Sequence, residues 1–289
     1  MKIVRPYVIT DGDLTTNATN ADAAWSSVTN YTVGQRVTYG RRIYQSIQNG
    51  TNKNPETQTE FWLDVGPSNV WAMFDDRTST QTTRATPLDV SVETLGYVDT
   101  VAFLNITGNS LDVTVNDGSS DIFTETIVLR NEASVTDYYE YFFEPIIALT
   151  DVVVNLPPDV YNPLISASLS GETNVAVGQM IVGQSYYIGR VHWGAQLSGT
   201  DYSRVEDDGF GGTFIVERTY NRTGTFTVTI DAVKVDATYN IVTGYRATPV
   251  LVIGIEKYGA SFYYGLLRDA VIEIAYPEYA IMSLEVRGI

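Results

Sequence analysis

Between Trp25 and Trp62 the chain sets two Trp, three Tyr and one Phe among Gly, Asn, Thr and Ser, with almost no aliphatic bulk. Rings buried in a compact domain normally pack against Leu and Ile. Here such partners are scarce, which predicts that some rings face outward. An outward, rigid ring suits the flat C–H face of a pyranose, and nearby Asn, Gln and Arg can read its hydroxyls. The expected platform is Trp25, Tyr31, Tyr39, Tyr44 and Trp62. Arg36 and Arg42 are the expected contacts to hydroxyls or to an acidic sugar.

Other chemistry is thinly represented. With no cysteine, thiol nucleophiles, Cys-ligated zinc and iron–sulfur clusters are excluded. The single histidine, His192, sits in Gly189-Arg190-Val191-His192-Trp193-Gly194 without a nucleophile elbow, so it reads as structural. Two carboxylates suffice for glycoside hydrolysis, but no pair stands out among the acids. The cluster Glu206-Asp207-Asp208-Gly209-Phe210 lacks calcium-loop spacing and reads as a solvated loop. No phosphate-binding or dinucleotide motif is present. The expectation is a protein with no catalytic residues, no metal and no cofactor.

Charge is uneven. Residues 85–189 hold fourteen acidic side chains and one basic one, Arg130. The net charge of −16 repels phosphate backbones, so nucleic acid is not an expected partner. The opening MKIVRPYVIT does not read as a secretory signal, and the run Pro249 to Ile255 is too short to span a bilayer, so no membrane insertion is expected.

Positioning the rings requires strands. Thr, Val and Tyr are abundant, and short alternating runs recur at 87–92, 100–106, 111–115, 123–128 and 151–155 between turn signals. The expected class is mainly β. It comprises a small three-stranded carbohydrate-binding-like module, a jelly-roll-like β-sandwich, and a C-terminal β-rich domain with one short helix. The expected boundaries are 1–23, an N-terminal strand and loop belonging to the sandwich; 24–66, the inserted module; 67–174, the acidic sandwich; and 175–289, the last domain. Strands are expected at 176–182, 185–189, 212–220, 224–230, 250–255 and 280–286. The fourfold spacing of Ala237, Ile241 and Tyr245 predicts a helix near 235–247. The aromatic run 138–143 reads as a core or edge strand.

Three resemblances extend this reading. Ala24-Trp25, Tyr31-x-x-Gly34-x-x-Val37, Tyr39-Gly40-x-x-Ile43-Tyr44, Asn54-Pro55 and Phe61-Trp62 resemble the chitin- and carbohydrate-binding modules of type 5/12. That resemblance implies sugar binding without naming the sugar. Trp71 to Asp76, with Leu88 and Val101 to Leu104, resembles a galactose-binding-domain-like jelly roll, which bears on fold alone. Asp201 to Arg204, Val216 to Tyr220, Arg246 to Pro249, Leu267 to Asp269, Ala275 to Pro277 and Leu284 to Gly288 are similar to tail and baseplate proteins of tailed phages. Together they imply a homo-oligomeric virion tail protein, made in the host cytoplasm, with other tail or baseplate proteins and a bacterial surface glycan as partners. A polysaccharide-degrading enzyme with an accessory module and a purely structural tail protein are the alternatives.

Overall fold

The computed structural model describes residues 1–130, 137–143, 147–158, 161–207, 211–218 and 220–289. The chain is mainly β and divides into two compact units. One unit comprises Met1–Tyr7 with Val182–Ile289, and the other is Val8–Ile181.

The second unit contains two antiparallel layers and the small module. One layer is a five-stranded sheet, ordered Asp121–Val128, Ser110–Asn116, Leu164–Ser170, Leu88–Glu93, Leu14–Thr16. Alternation along Ser110–Asn116 buries Leu111, Val113 and Val115 and turns the intervening residues outward. Register matches on the next strand, where Leu111 faces Leu169 and Val115 faces Ile165, so this face is apolar across the central strands, while Glu125 of the edge strand lies opposite Val113. Val152–Asn155, Thr100–Thr107 and the first part of Asn174–Tyr187 are neighbours in the other layer, with Thr82–Ala85 paired on the last. Thr100–Thr107 is almost wholly buried, which is why its run Val101 to Leu104 shows no alternation.

The first unit is an antiparallel sheet in which the last part of Asn174–Tyr187, then Lys2–Pro6, Val250–Ile253, Phe262–Glu273, Tyr279–Gly288, Tyr220–Asp231 and Arg190–Val191 follow one another. Lys2–Pro6 therefore does not join the sandwich, as residues 1–23 were expected to. It lies between residues 183–187 and Val250–Ile253, with Ile3 opposite both Tyr186 and Val252. Its two central residues, Ile3 and Val4, are fully buried, so the strand needs neighbours on both edges and cover on both faces. Only Leu14–Thr16, from the following loop, pairs within the sandwich.

Phe226, Val228, Ile230, Val250, Val252, Met282, Leu284 and Val286 form the core of this unit, and the helix Val235–Gly244 packs on it. The helix falls where the spacing predicted, but its inner face is centred one residue away. Thr238 and Val242 are buried, flanked by the partly buried Val235 and Tyr245. The positive φ of Ala247 and the following Pro249 prevent its continuation.

The run 138–143 is a short helix rather than a strand. Tyr139 and Phe143, four residues apart, bring their rings to 5.0 Å on its exposed side. Asp208 to Phe210 and Thr219 lie outside the described residues. Among the described residues, no helix is long and apolar enough to cross a membrane.

Candidate functional site

The aromatic segment forms a three-stranded antiparallel sheet of Arg36–Tyr39, Arg42–Ser46 and Trp62–Pro67, with a small pair Asn30–Tyr31 and Gly50–Thr51. Gly40, at φ +58, turns the first hairpin, a conformation in which a Cβ is strained. Pairing sets Ser46 opposite Trp62 and Tyr44 opposite Asp64.

Three of the five expected platform rings face inward. Tyr31, Tyr44 and Trp62, with Val37, are the buried centre of the module. The expectation of outward rings rested on missing aliphatic partners, and the structure answers it with ring-on-ring packing. Tyr31 and Trp62 meet edge to face at 5.2 Å, so aromatic edges fill the space that Leu or Ile would otherwise take. Both polar tips are satisfied inside. The Trp62 indole N–H donates to the Lys53 carbonyl at 2.9 Å, and the Tyr31 hydroxyl accepts from the Ser26 amide at 2.7 Å. Burial pushes the Tyr44 phenol above its ordinary pKa.

The two arginines are surface residues with different commitments. Arg42 is held by Asp64 at 2.6 Å, and that hydrogen bond raises its pKa. Asp64 thus takes the Nε donor of that guanidinium. Arg36 is exposed, with its backbone paired to Gln45.

What remains is one edge of the module. Trp25 and Tyr39 are half-buried and lie perpendicular at 5.4 Å. The Asn54 amide donates to the Tyr39 hydroxyl at 2.9 Å, which fixes that ring. The Trp25 indole N–H and the Gln58 amide oxygen are buried with no hydrogen-bond partner among the described residues. Both atoms are closed off from solvent, so a hydroxylated ligand reaches them only if the side chains turn outward. Phe61, also half-buried, is covered by the Lys53 ammonium at 4.4 Å.

Arg41 escaped the sequence reading. Its guanidinium lies 3.8 Å over the Trp71 ring, pairs with Asp11 at 2.9 Å, and donates to the Ile9 carbonyl. The module is thus pinned to flanking parts of its own unit. The only sequence signal was two adjacent arginines after a turn glycine, which does not say which one turns inward.

Elsewhere, His192 shares a hydrogen bond with the Thr229 hydroxyl. Glu206 pairs with Arg204, and Asp207 accepts from the Thr213 hydroxyl. Among the described residues, no group of three or more His, Asp or Glu side chains converges as a metal site would require. Compared with protein-family models, with curated proteins and with solved structures, the chain gives no match.

Proposed function

We infer that the chain is a structural subunit of a phage tail tip or baseplate, built to assemble as an oligomer and to present its aromatic module to a bacterial surface glycan. The observation that carries the reading is the hairpin of Arg204–Asp207 and Thr213–Val216. Val205 and Ile215 lie opposite one another on one face, and Phe214 and Val216 lie on the other, yet none of the four is buried. A lone two-stranded hairpin is at best marginally stable in water, and its exposed Val205–Ile215 pair calls for cover. A second copy of the chain supplies that cover in a closed ring.

Glycan binding falls to the Trp25–Tyr39 edge with Asn54 and Gln58. A single small edge binds weakly, and several copies on one particle raise avidity by about 10²–10⁴. The burial of Tyr31, Tyr44 and Trp62 favours a second reading, in which the module serves packing alone.

Native mass measurement on the full chain tests the assembly half. The expected result is a multimer that Val205→Lys with Ile215→Lys shifts to lower mass; both positions are exposed, so folding survives. A monomer at every concentration would sink it. Retention on insoluble chitin or bacterial cell-wall polysaccharide, lost in Trp25→Ala, separates glycan presentation from packing alone.

A further inference from the structure

A concavity of about 680 Å³ lies wholly within the unit Met1–Tyr7 with Val182–Ile289. It opens where several strands of that sheet end: after Tyr187, at Arg190–Val191, beside Lys2, and at the loop following Val250–Ile253. Two features of its lining are unusual together.

The first is aromatic. Trp193 is 94% exposed, held out by the turn His192-Trp193-Gly194, in which Gly194 has φ +97. Tyr187 and Tyr258 add two more exposed rings to the same wall. A Trp that leaves nearly all its surface in water gains nothing from burial in the free chain, so it contributes where something else covers it.

The second is charge. In a chain of net charge −16, this lining carries Lys2, Arg190 and Lys257 against one acid, Glu256. Lys2 and Glu256 pair at 2.8 Å and cancel. Arg190 is exposed and has no ion-pair partner among the described residues, and the Lys257 ammonium stands 5.6 Å from the Tyr258 ring centroid. The Lys234 ammonium stands 5.5 Å from the Tyr187 ring centroid, so three cations remain beside the three aromatic rings.

We propose that this cleft binds an acidic saccharide, a chain of pyranose rings bearing carboxylates, with Trp193, Tyr187 and Tyr258 stacking on the rings and Arg190 taking the acid. Aromatic faces match the C–H faces of sugars, and a guanidinium matches a carboxylate two bonds at a time. A short acid is attracted within the roughly 10 Å over which charge acts at 0.1 M salt. The site is separate from the Trp25–Tyr39 edge and stands whether or not that edge binds sugar.

The test is calorimetric titration of the full chain with tetragalacturonate and with its fully methyl-esterified form, which keeps the rings and removes the charge. The acid is expected to bind with Kd below about 1 mM and the ester about tenfold more weakly. Arg190→Ala and Trp193→Ala are each expected to weaken the acid about tenfold, and about 0.5 M salt to weaken it further. Both side chains are exposed, so neither variant threatens folding. Equal affinity for acid and ester, or no binding of the acid up to about 10 mM, overturns the proposal. So does a Trp193→Ala variant that loses oligomer mass while the saccharide never binds, because the ring would then belong to a subunit contact.

Discussion

Replacing Trp62 by Ala separates a binding role from a packing role. The ring is 4% exposed, meets Tyr31 edge to face, and donates its N–H to Lys53. An indole buries about 200 Å², and at about 25 cal/mol per Å² this corresponds to about 5 kcal/mol. Measured truncations of large core rings run about 3–5 kcal/mol, since neighbours relax only in part. The Lys53 carbonyl would also lose its donor, adding about 1 kcal/mol. A module of this size has little stability to spare, so the loss should open it while the rest of the fold stands. Native-state hydrogen exchange is the assay. Amides of Arg36–Tyr39, Arg42–Ser46 and Trp62–Pro67 should exchange roughly 10²–10⁴ times faster, at about tenfold per 1.4 kcal/mol. Strands such as Ser110–Asn116 should be unchanged. Trp62→Phe keeps a ring and loses the N–H, and should sit near the smaller, hydrogen-bond figure. Unchanged exchange in Trp62→Ala would refute the packing assignment and return the ring to the candidate binding surface.

Two further outcomes follow from close contacts and from charge. Gly265→Ala would place a Cβ 2.0 Å from the Arg287 carbonyl oxygen on the paired strand, so the strands must part. Urea unfolding should show a loss of about 1–3 kcal/mol, and an unchanged midpoint would contradict the close approach. Asp75 is half-buried, and burial holds its pKa above the ordinary carboxylate value despite bonds from Thr80 and Arg77. A raised folded-state pKa makes its contribution to stability greatest below about pH 4 and lost as pH rises through the raised value. Asp75→Asn should therefore be at least as stable as the parent at pH 7, with the difference closing below about pH 4. A variant less stable at pH 7 than at pH 4, relative to the parent, would contradict the sign.

Much of the sheet framework was legible because one-sided burial writes itself as alternation. Leu111, Val113 and Val115 gave their strand directly, and Leu88, Val90 and Val92 gave another. Phe262–Glu273 was missed. Its first four residues are buried on both faces and its second half is exposed past a bulge between Arg268 and Val271, so no single period runs through it. The single strand Asn174–Tyr187 was read as two for a similar reason, since nine consecutive buried residues carry no face information. In the aromatic module the three strands came only from the resemblance, and the facing of its rings was not legible. Residue type does not tell whether a Tyr is capped by another ring or by water. The cleft around Trp193 was hidden differently, because Lys2, Tyr187 and Tyr258 are far apart in sequence and meet only through strand pairing.

The nesting of the two units carries a consequence for biosynthesis. Residues 1–7 are made before Val8–Ile181, yet their partners at 183–187 and 251–253 are made only after the whole of it. The opening strand must therefore wait, solvated, while an entire unit folds behind it, and its Arg5 and Pro6 are the kind of residues that discourage pairing with strangers meanwhile. Tyr7 and Val182, the residues that flank that unit in the chain, are joined by a 2.7 Å backbone hydrogen bond. Such an arrangement behaves as a cassette in a host gene. A short reverse turn would reconnect the flanks, and cargo of another kind could be spliced at the same point without altering the pairing on either side.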